Sequence, residues 1–166
     1  MREIKIEKVT VNIGTGEPGD KLEKAFKLIK SITGENPVKT VTQKRIPTWK
    51  IRPGLTIGCK VTLRGEKAKK MLKRLLAAKN NRLKEGNFDN NGNFAFGIRE
   101  YLDIPDTKYD ADVGIIGLET AITLERPGFR IKRRMIKPKS IPKKHRITKQ
   151  EAIEFMKKNY GIEVEQ

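Results

Sequence analysis

The sequence predicts an α+β protein with a mostly antiparallel sheet and helices packed on one face of it. Three observations favour this class. Residues 55–64 (LTIGCKVTLR) alternate apolar and polar side chains with a period of two, which is typical of a half-buried strand. Residues 68–76 repeat apolar side chains at helical spacing. No internal repeat or low-complexity linker divides the 166 residues, so we predict a single domain over residues 1–166.

The first two strands are predicted on either side of a glycine-rich turn. Residues 3–13 (EIKIEKVTVNI) alternate in one phase up to Ile6 and in the opposite phase from Val9. This change of phase predicts a strand with a bulge or a break near residues 7 and 8. Residues 37–43 (PVKTVTQ) predict a second, short strand, which would precede the strand over residues 55–64.

Three helices are predicted from apolar periodicity and from their end signals. The first begins near Asp20, which forms a cap-like pair with Glu23, and ends at Gly34. The second follows Gly65. The third spans about residues 148–160 and begins at a capping box.

Two more β elements are predicted in the second half of the chain. Asn91 and Gly92 lie between phenylalanines and predict a hairpin-type turn. Residues 115–125 predict a further strand. A basic segment, residues 126–149, separates this strand from the terminal helix.

The composition limits the function classes. The chain has 37 Lys+Arg against 20 Asp+Glu, a formal net charge of +17, and one cysteine. One cysteine excludes an internal disulfide framework and a cysteine-based zinc finger, which fits a cytoplasmic location. No apolar run approaches the roughly 20 residues of a membrane helix, and the N-terminus does not resemble a signal peptide. We therefore predict neither export nor a membrane partner.

The charges are segregated along the chain. Residues 37–65 contain seven basic and no acidic residues, and the basic segment 126–149 contains eleven basic and no acidic residues. Between them, residues 100–125 contain seven acidic residues and one lysine. Two acid-free stretches around an acidic one predict a nucleic-acid-binding protein that keeps one face away from the nucleic acid.

The candidate RNA contacts lie on the polar side of the predicted sheet. Hydroxyls, an amide and cations suit phosphates and ribose 2′-OH groups, and these strands contain no aromatic side chains for base stacking. The pattern therefore favours folded RNA recognised largely by shape, although a threonine also fills a half-buried strand position without any binding role. The candidate contacts are Thr10, Asn12, Thr15, Lys39, Thr40, Thr42, Lys60, Thr62 and Arg64.

Two further basic regions are candidate contacts. Residues 43–54 are long for a hairpin connection and hold the only tryptophan, which favours stacking on a nucleotide or packing on a partner. The candidates in this loop are Lys44, Arg45, Trp49, Lys50 and Arg52. The additional RNA contacts predicted in the basic segment 126–149 are Arg130, Lys132, Arg133, Arg134, Lys143, Lys144 and Arg146.

An enzyme is the less favoured interpretation. Residues 14–19 (GTGEPG) match a dinucleotide-binding fingerprint, but Glu17 and Asp20 would face the pyrophosphate, so a glycine-rich turn is preferred. His145 has no neighbouring nucleophile in the sequence, and the carboxylates of residues 103–112 lack calcium-loop spacing. We predict no catalytic residue, no metal ligand and no cofactor.

Five segments resemble those of a known family. They are VTVNIGTGE, TGENPVKT, WKIRPGLTIGCKVTLRG, NFDNNGNFAFGIREYLDIP and YDADVGIIGLETAITLERPG. In this order they are similar to large ribosomal subunit protein five, the 5S rRNA-binding ribosomal protein family, over nearly the whole chain. The ending RPGFRIKRRMIKPKSIPKKHRIT resembles the archaeal and eukaryotic form.

The resemblance implies a structural ribosomal protein with no catalytic activity. Family members attach 5S rRNA in the central protuberance, so the expected partners are 5S rRNA, 23S-type rRNA and neighbouring ribosomal proteins. The resemblance places the loop of residues 43–54 near P-site tRNA and one edge of the protein near the small-subunit head. The alternatives are an RNA-binding or annealing protein outside the ribosome and, in a different class, a nucleotide-dependent enzyme that uses residues 14–19.

Overall fold

The computed structural model describes residues 1–165 and contains seven strands and four α-helices within them. The α+β class with a mostly antiparallel sheet is confirmed. The strands are β1 Lys5–Gly14, β2 Val38–Val41, β3 Thr56–Leu63, β4 Arg82–Lys84, β5 Phe94–Ile98, β6 Leu118–Glu125 and β7 Glu163–Glu165. The helices are α1 Asp20–Thr33, α2 Gly65–Ala77, the single turn α3 Arg130–Arg133, and α4 Lys149–Tyr160.

The chain separates into two compact units. Among the described residues, unit 1 contains residues 1–9, 64–96 and 121–165, and unit 2 contains residues 10–63 and 97–120. The five strands of the main sheet have the order β2-β3-β1-β6-β5. The sequence prediction of a single domain over residues 1–166 stays a prediction.

In unit 2, helix α1 packs on strand β3. The inward phase of β3 is occupied by Cys59 and Val61, both buried, as the alternation of this strand predicts. Burial raises the pKa of the Cys59 thiol, so this side chain is a buried apolar group at neutral pH. Helix α1 buries five apolar side chains, and Gly34 ends it in a left-handed conformation.

The predicted cap of helix α1 is wrong. The N-cap is Gly19, with φ 122°, and no side chain caps the helix. The backbone carbonyl of Gly19 accepts from the N–H groups of Leu22 and Glu23. Asp20 is already inside the first turn, where its carboxylate favourably faces the positive end of the helix dipole.

The structure defines the bounds of two predicted strands. Strand β1 is one strand from Lys5 to Gly14, so the predicted break is wrong, and a bulge near residues 7 and 8 stays a prediction. Glu7 occupies a position in phase with the buried Val9, and its side chain is only 11% exposed because Arg64 and Arg133 contact its carboxylate. In unit 2, strand β6 begins at Leu118, not at residue 115, and Ile115 is exposed in the bend before it.

In unit 1, helices α2 and α4 bury one apolar face each. The predicted capping box of α4 is confirmed: the Thr148 hydroxyl accepts from the Glu151 N–H, and the Glu151 carboxylate accepts from the Thr148 N–H. The Asn91-Gly92 turn is confirmed by the bridge between Phe88 and Phe94. Strands β4 and β7 pair in parallel and were not predicted.

A close approach at Gly58 explains why β3 contains a glycine. In unit 2, a Cβ on this residue would lie 2.7 Å from the Ile13 carbonyl oxygen and 2.9 Å from the Thr40 hydroxyl oxygen. The backbone atom cannot move without disturbing β1, so alanine at this position strains the sheet.

We expect Gly58→Ala to lower the free energy of unfolding by about 1–3 kcal/mol in urea titrations. Gly14→Ala is the matched control, because a Cβ there would meet nothing within 4 Å. If both variants unfold at the same urea concentration, the close approach at Gly58 does not constrain the sheet.

Candidate RNA-binding surface

Within unit 2, the predicted polar face of the sheet is formed by strands β1 and β3, which are neighbours. Thr10 and Asn12 are half-buried, whereas Lys60 and Thr62 are exposed. Each of these side chains alternates with buried apolar residues of its strand, so all four lie on the side of the sheet opposite to the core. We call these four residues the sheet face.

Glu119 of strand β6 lies beside the sheet face. The Asn12 side-chain nitrogen Nδ2 donates to Glu119 Oε2 at 3.3 Å. A carboxylate therefore lies within contact distance of a residue predicted to bind RNA. Leu118 and Thr120 are buried on either side of the exposed Glu119, and the alternation of these three residues is the sequence signal for its position. Its place among the acids of residues 100–125 did not predict this contact.

Strand β2 adds a mixed set of side chains to the same region. Its register places Val38 opposite Lys60 and Lys39 opposite Cys59. Opposed residues share one side of a sheet, so Val38, which is 64% exposed, extends the sheet face, and Lys39 lies on the other side. Thr40 is opposite Gly58, after which the register shifts at Val41.

The hydroxyls of two candidate residues already make intramolecular hydrogen bonds. Thr15 Oγ1 donates to the carbonyl oxygens of Glu17 at 2.9 Å and Ile57 at 3.1 Å. Thr42 Oγ1 donates to the Lys44 carbonyl oxygen at 3.0 Å. These hydroxyls stabilise the turns in which they lie, and only their lone pairs remain for an RNA donor.

Arg64, in unit 1, forms one ion pair within the protein and stays partly exposed. Its Nη1 donates to Glu7 Oε1 at 3.2 Å, while the side chain stays 58% exposed. The exposed part of the guanidinium remains accessible to a phosphate.

The loop of residues 43–54 is an extended hairpin with its own hydrogen bonds. The backbones of Ile46 and Ile51 exchange hydrogen bonds at 3.0 and 3.1 Å, and a 3₁₀ turn spans Pro47–Trp49 between them. Lys50 closes the turn in a left-handed conformation, with φ 53°. This internal pairing fixes which side chains the loop presents.

The loop buries one side chain and exposes the five predicted RNA contacts to solvent. Ile51 is buried, whereas Trp49 is 69% exposed at the tip. The candidate cations Lys44, Arg45, Lys50 and Arg52 are all exposed. None of these four cations makes a salt bridge within the described part of the chain. The loop therefore presents an exposed indole among cations that form no salt bridge in the described residues.

The basic segment 126–149, in unit 1, contains cations of two kinds. Arg126 is only 5% exposed and donates to Glu151 Oε1 at 2.7 Å and to the Arg146 carbonyl oxygen at 3.2 Å. Arg133 contacts both Glu7 and Glu125, the latter at 2.6 Å. Both guanidiniums are paired with carboxylates of the protein, and of the two only Arg126 is buried.

The other predicted contacts in the basic segment are exposed: Arg130, Lys132, Arg134, Lys143, Lys144 and Arg146. Arg134 and Arg146 each use their Nε to donate to a carbonyl oxygen of the segment, at 2.9 and 3.1 Å, which leaves their terminal nitrogens available. His145 is part of the packing, with Nε2 2.9 Å from the Pro127 carbonyl oxygen and its ring edge-on to Phe129.

Two family models match the chain. The model described as "Ribosomal protein L5" matches residues 1–52, and the model that describes the C-terminus of the same ribosomal protein family matches residues 56–155. A large ribosomal subunit protein uL5 of Nanoarchaeum equitans is 52% identical over 165 residues, which cover 99% of this chain and 97% of that protein. The chain belongs to the uL5 family.

Other uL5 proteins give the same result. The uL5 protein of Sulfurisphaera tokodaii is 49% identical, with 99% of this chain and 93% of that protein covered. The uL5 protein of Methanoregula boonei is 45% identical, with 99% of both chains covered. The chain is thus an archaeal-type uL5 protein of the large subunit of the cytoplasmic ribosome and is not an enzyme.

The geometry of residues 14–19 agrees with the preferred interpretation of a turn. Gly16 and Gly19 have positive φ angles, and Lys21 Nζ lies 2.7 Å from Glu17 Oε1. The hydrogen bond from Lys21, together with its charge, lowers the pKa of the Glu17 carboxyl, which therefore carries a negative charge at neutral pH where a nucleotide phosphate would bind. Residues 1–165 contain no group of three or more His, Cys, Asp or Glu placed to hold a metal ion. No helix in the described chain is long and apolar enough to cross a membrane.

Proposed function

We propose that this uL5 protein binds 5S rRNA through the sheet face and so helps to attach 5S rRNA in the central protuberance of the large subunit. The observation that carries the proposal is the sheet face itself: Lys60 and Thr62 are exposed beside Thr10 and Asn12 on strands that bury their apolar side. Short polar side chains and a cation on a rigid sheet fit phosphate and ribose groups of a folded RNA.

The other exposed basic regions serve further ribosomal partners in this proposal. The loop of residues 43–54 contacts P-site tRNA, and the exposed cations of the basic segment 126–149 contact 23S-type rRNA. Neighbouring proteins of the central protuberance and of the small-subunit head pack on the remaining surface, which includes the acidic residues 100–125. The formal charge of +17 supports several RNA contacts on one small protein.

We expect Asn12→Ala and Thr62→Ala each to weaken 5S rRNA binding by about 1–3 kcal/mol, with a nearly unchanged melting temperature. Both side chains lie on the outer side of their strands, so they contribute more to RNA binding than to the core. Filter binding measures the affinity, and thermal unfolding measures the stability. If both variants bind with wild-type affinity, the sheet face is not the 5S rRNA site.

Glu119→Gln is a control for which we expect the opposite change in 5S rRNA affinity. The amide oxygen of glutamine keeps an acceptor for Asn12 Nδ2 but removes the negative charge beside the sheet face. We expect this variant to bind 5S rRNA more tightly than wild type and to do so most clearly at low salt. Weaker binding would place Glu119 in the RNA contact itself.

Salt separates specific from general binding. The logarithm of the affinity should fall linearly with the logarithm of the salt concentration, with a slope set by the number of phosphates neutralised. A preference for 5S rRNA over a random RNA of equal length should remain at about 0.2 M salt. Equal affinities at that salt would contradict a specific 5S rRNA site and favour a general RNA-binding protein.

A further inference from the structure

Unit 1 contains a cavity of about 410 Å³ between the start of strand β1, strand β6, the turn at Asn91 and the basic segment. Its volume lies within the roughly 300–1,000 Å³ of small-molecule sites. Amides, hydroxyls, cations and one aromatic ring line it, and the side chains that carry the argument are Lys8, Asn91, Asn93, Phe129, Lys132 and Ser140.

The electrostatics of the cavity favour an anion. Glu7 is the only carboxylate among the lining residues, and Arg64 and Arg133 both contact it. Lys8 and Lys132 also line the cavity, and neither forms a salt bridge within residues 1–165. Two unpaired ammonium groups beside a neutralised carboxylate attract a phosphate.

The turn of residues 89–93 supplies rigid hydrogen-bonding groups. Asp89 Oδ1 accepts from the backbone N–H of Asn91 at 2.8 Å and of Asn93 at 2.7 Å. Gly92 packs so closely on Ile147 that a Cβ would lie 2.5 Å from its methyl group. The turn is therefore fixed from both sides, and its amides are held in place before any ligand binds.

The orientation of the Asn93 amide follows from its partner. Asn93 Nδ2 donates to Asp89 Oδ2 at 2.9 Å, and an ionised carboxylate can only accept, so the nitrogen must face Asp89. The groups left for a ligand are the carbonyl oxygen Oδ1, an acceptor, and the second N–H of Nδ2, a donor. This pair of groups fits the edge of a nucleobase, which carries donors and acceptors side by side.

Phe129 gives the cavity an aromatic wall. The ring of His145 meets it in a T-shaped arrangement with centroids 5.7 Å apart, which covers at most one face of the phenylalanine. An aromatic face beside cations and amides matches the requirements of a nucleotide: a stacking surface for the base, an amide for the base edge and a positive charge for the phosphate.

We propose that this cavity binds one nucleotide, which in the ribosome is a base extruded from single-stranded rRNA. The inference rests on the proposed RNA-binding function, but it concerns a second site in unit 1 that uses none of the sheet-face residues. A free nucleotide offers the same chemistry, so the experiment includes both sources.

The test is NMR of the ¹⁵N-labelled full chain titrated with AMP, CMP, UMP, ribose 5-phosphate and inorganic phosphate, followed by a single-stranded hexa-adenylate. We expect saturable shifts of the Asn91 and Asn93 amides. AMP should bind about five-fold more tightly than CMP and UMP, because a purine offers a larger surface for stacking on the aromatic ring. Ribose 5-phosphate should bind about ten-fold more weakly than AMP, because it lacks the stacked base.

Variants distinguish the cavity from general charge. Ser140→Phe is charge-neutral at an exposed position and should abolish the saturable shifts by filling the cavity. Lys8→Gln/Lys132→Gln should weaken AMP about ten-fold. The matched control Lys143→Gln/Lys144→Gln removes the same charge outside the cavity and should leave AMP binding within about two-fold of wild type.

The outcomes are separable. If phosphate alone binds as well as AMP, or if Ser140→Phe leaves the shifts unchanged, the nucleotide site does not exist. If AMP binds but hexa-adenylate does not, the cavity takes a free nucleotide and the rRNA assignment is wrong. If Asn12→Ala loses 5S rRNA binding but still binds AMP, both proposals stand. If Asn12→Ala and Thr62→Ala bind 5S rRNA normally, only the sheet-face proposal is contradicted.

Discussion

Glu151→Ala is expected to lower the free energy of unfolding at pH 7 by about 2–4 kcal/mol, the largest stability loss we expect from one substitution on the surface of the protein. The reason lies in its partner. Arg126 is 5% exposed, and its Nη2 donates to Glu151 Oε1 at 2.7 Å. Removal of the carboxylate leaves a buried guanidinium without a counter-charge, and its Nε already lacks a hydrogen-bond partner.

The same substitution also removes a helix cap. Glu151 Oε2 accepts from the backbone N–H of Thr148 at 2.9 Å, which completes the capping box of α4. Glu154→Ala is the matched control, because Glu154 lies on the same helix, is exposed and makes no salt bridge among the described residues. Urea unfolding of both variants should show a loss for Glu151→Ala alone.

The contribution of Glu151 should depend on pH in a predictable direction. The hydrogen bond from the Thr148 backbone and the Arg126 guanidinium hold the pKa of the Glu151 carboxyl below its ordinary value of 4.5. A lowered pKa stabilises the folded state fully above pH 4.5, and this stabilisation is lost as the pH falls through the lowered pKa. The difference between wild type and Glu151→Ala should therefore be constant from pH 7 to about pH 5 and shrink in more acidic solution. A difference that stays constant at about pH 3 would contradict this account.

Elements that are specified by short-range sequence patterns were predictable from the sequence. The alternation in β3, the apolar stripe of α2 and the capping box at Thr148 are all local patterns, and each is confirmed. Strands β4 and β7 are three residues each and pair across a long stretch of sequence, so they carry no local period.

Long-range contacts also explain why the candidate site was only partly predictable. Arg126 and Arg133 look like the other cations of the basic segment, and only the fold brings Glu151 to one and Glu7 to the other. The phase of β1 and β3 correctly places Thr10 and Thr62 on the outer side. The side of the sheet that Lys39 occupies depends on the pairing register of β2, which a strand of four residues does not encode.

Replacement of residues 44–53 by a short Gly/Ser linker is expected to preserve 5S rRNA affinity and to weaken P-site tRNA binding in reconstituted ribosomes by about ten-fold. We attribute this effect to Trp49 and the four cations of the loop, because base stacking on one aromatic residue alone is worth about 1–3 kcal/mol. The replacement also removes Ile51, which is buried, so a modest loss of stability is expected as well.

Two variants with several substitutions each separate the effect of the contacting side chains from the effect of the loop's shape. Trp49→Ala combined with glutamine at the four cations keeps the Ile46–Ile51 pairing and should weaken tRNA binding as much as the linker does. Ile46→Ala/Ile51→Ala keeps the tryptophan and the cations, and it should reduce stability more than it reduces tRNA binding. Filter binding of tRNA to the reconstituted ribosomes and of 5S rRNA to the free protein gives both readouts. If the linker variant stays folded in thermal unfolding but loses 5S rRNA binding as a free protein, the loop belongs to the primary RNA site, because the loss then follows from the missing Trp49 and cations.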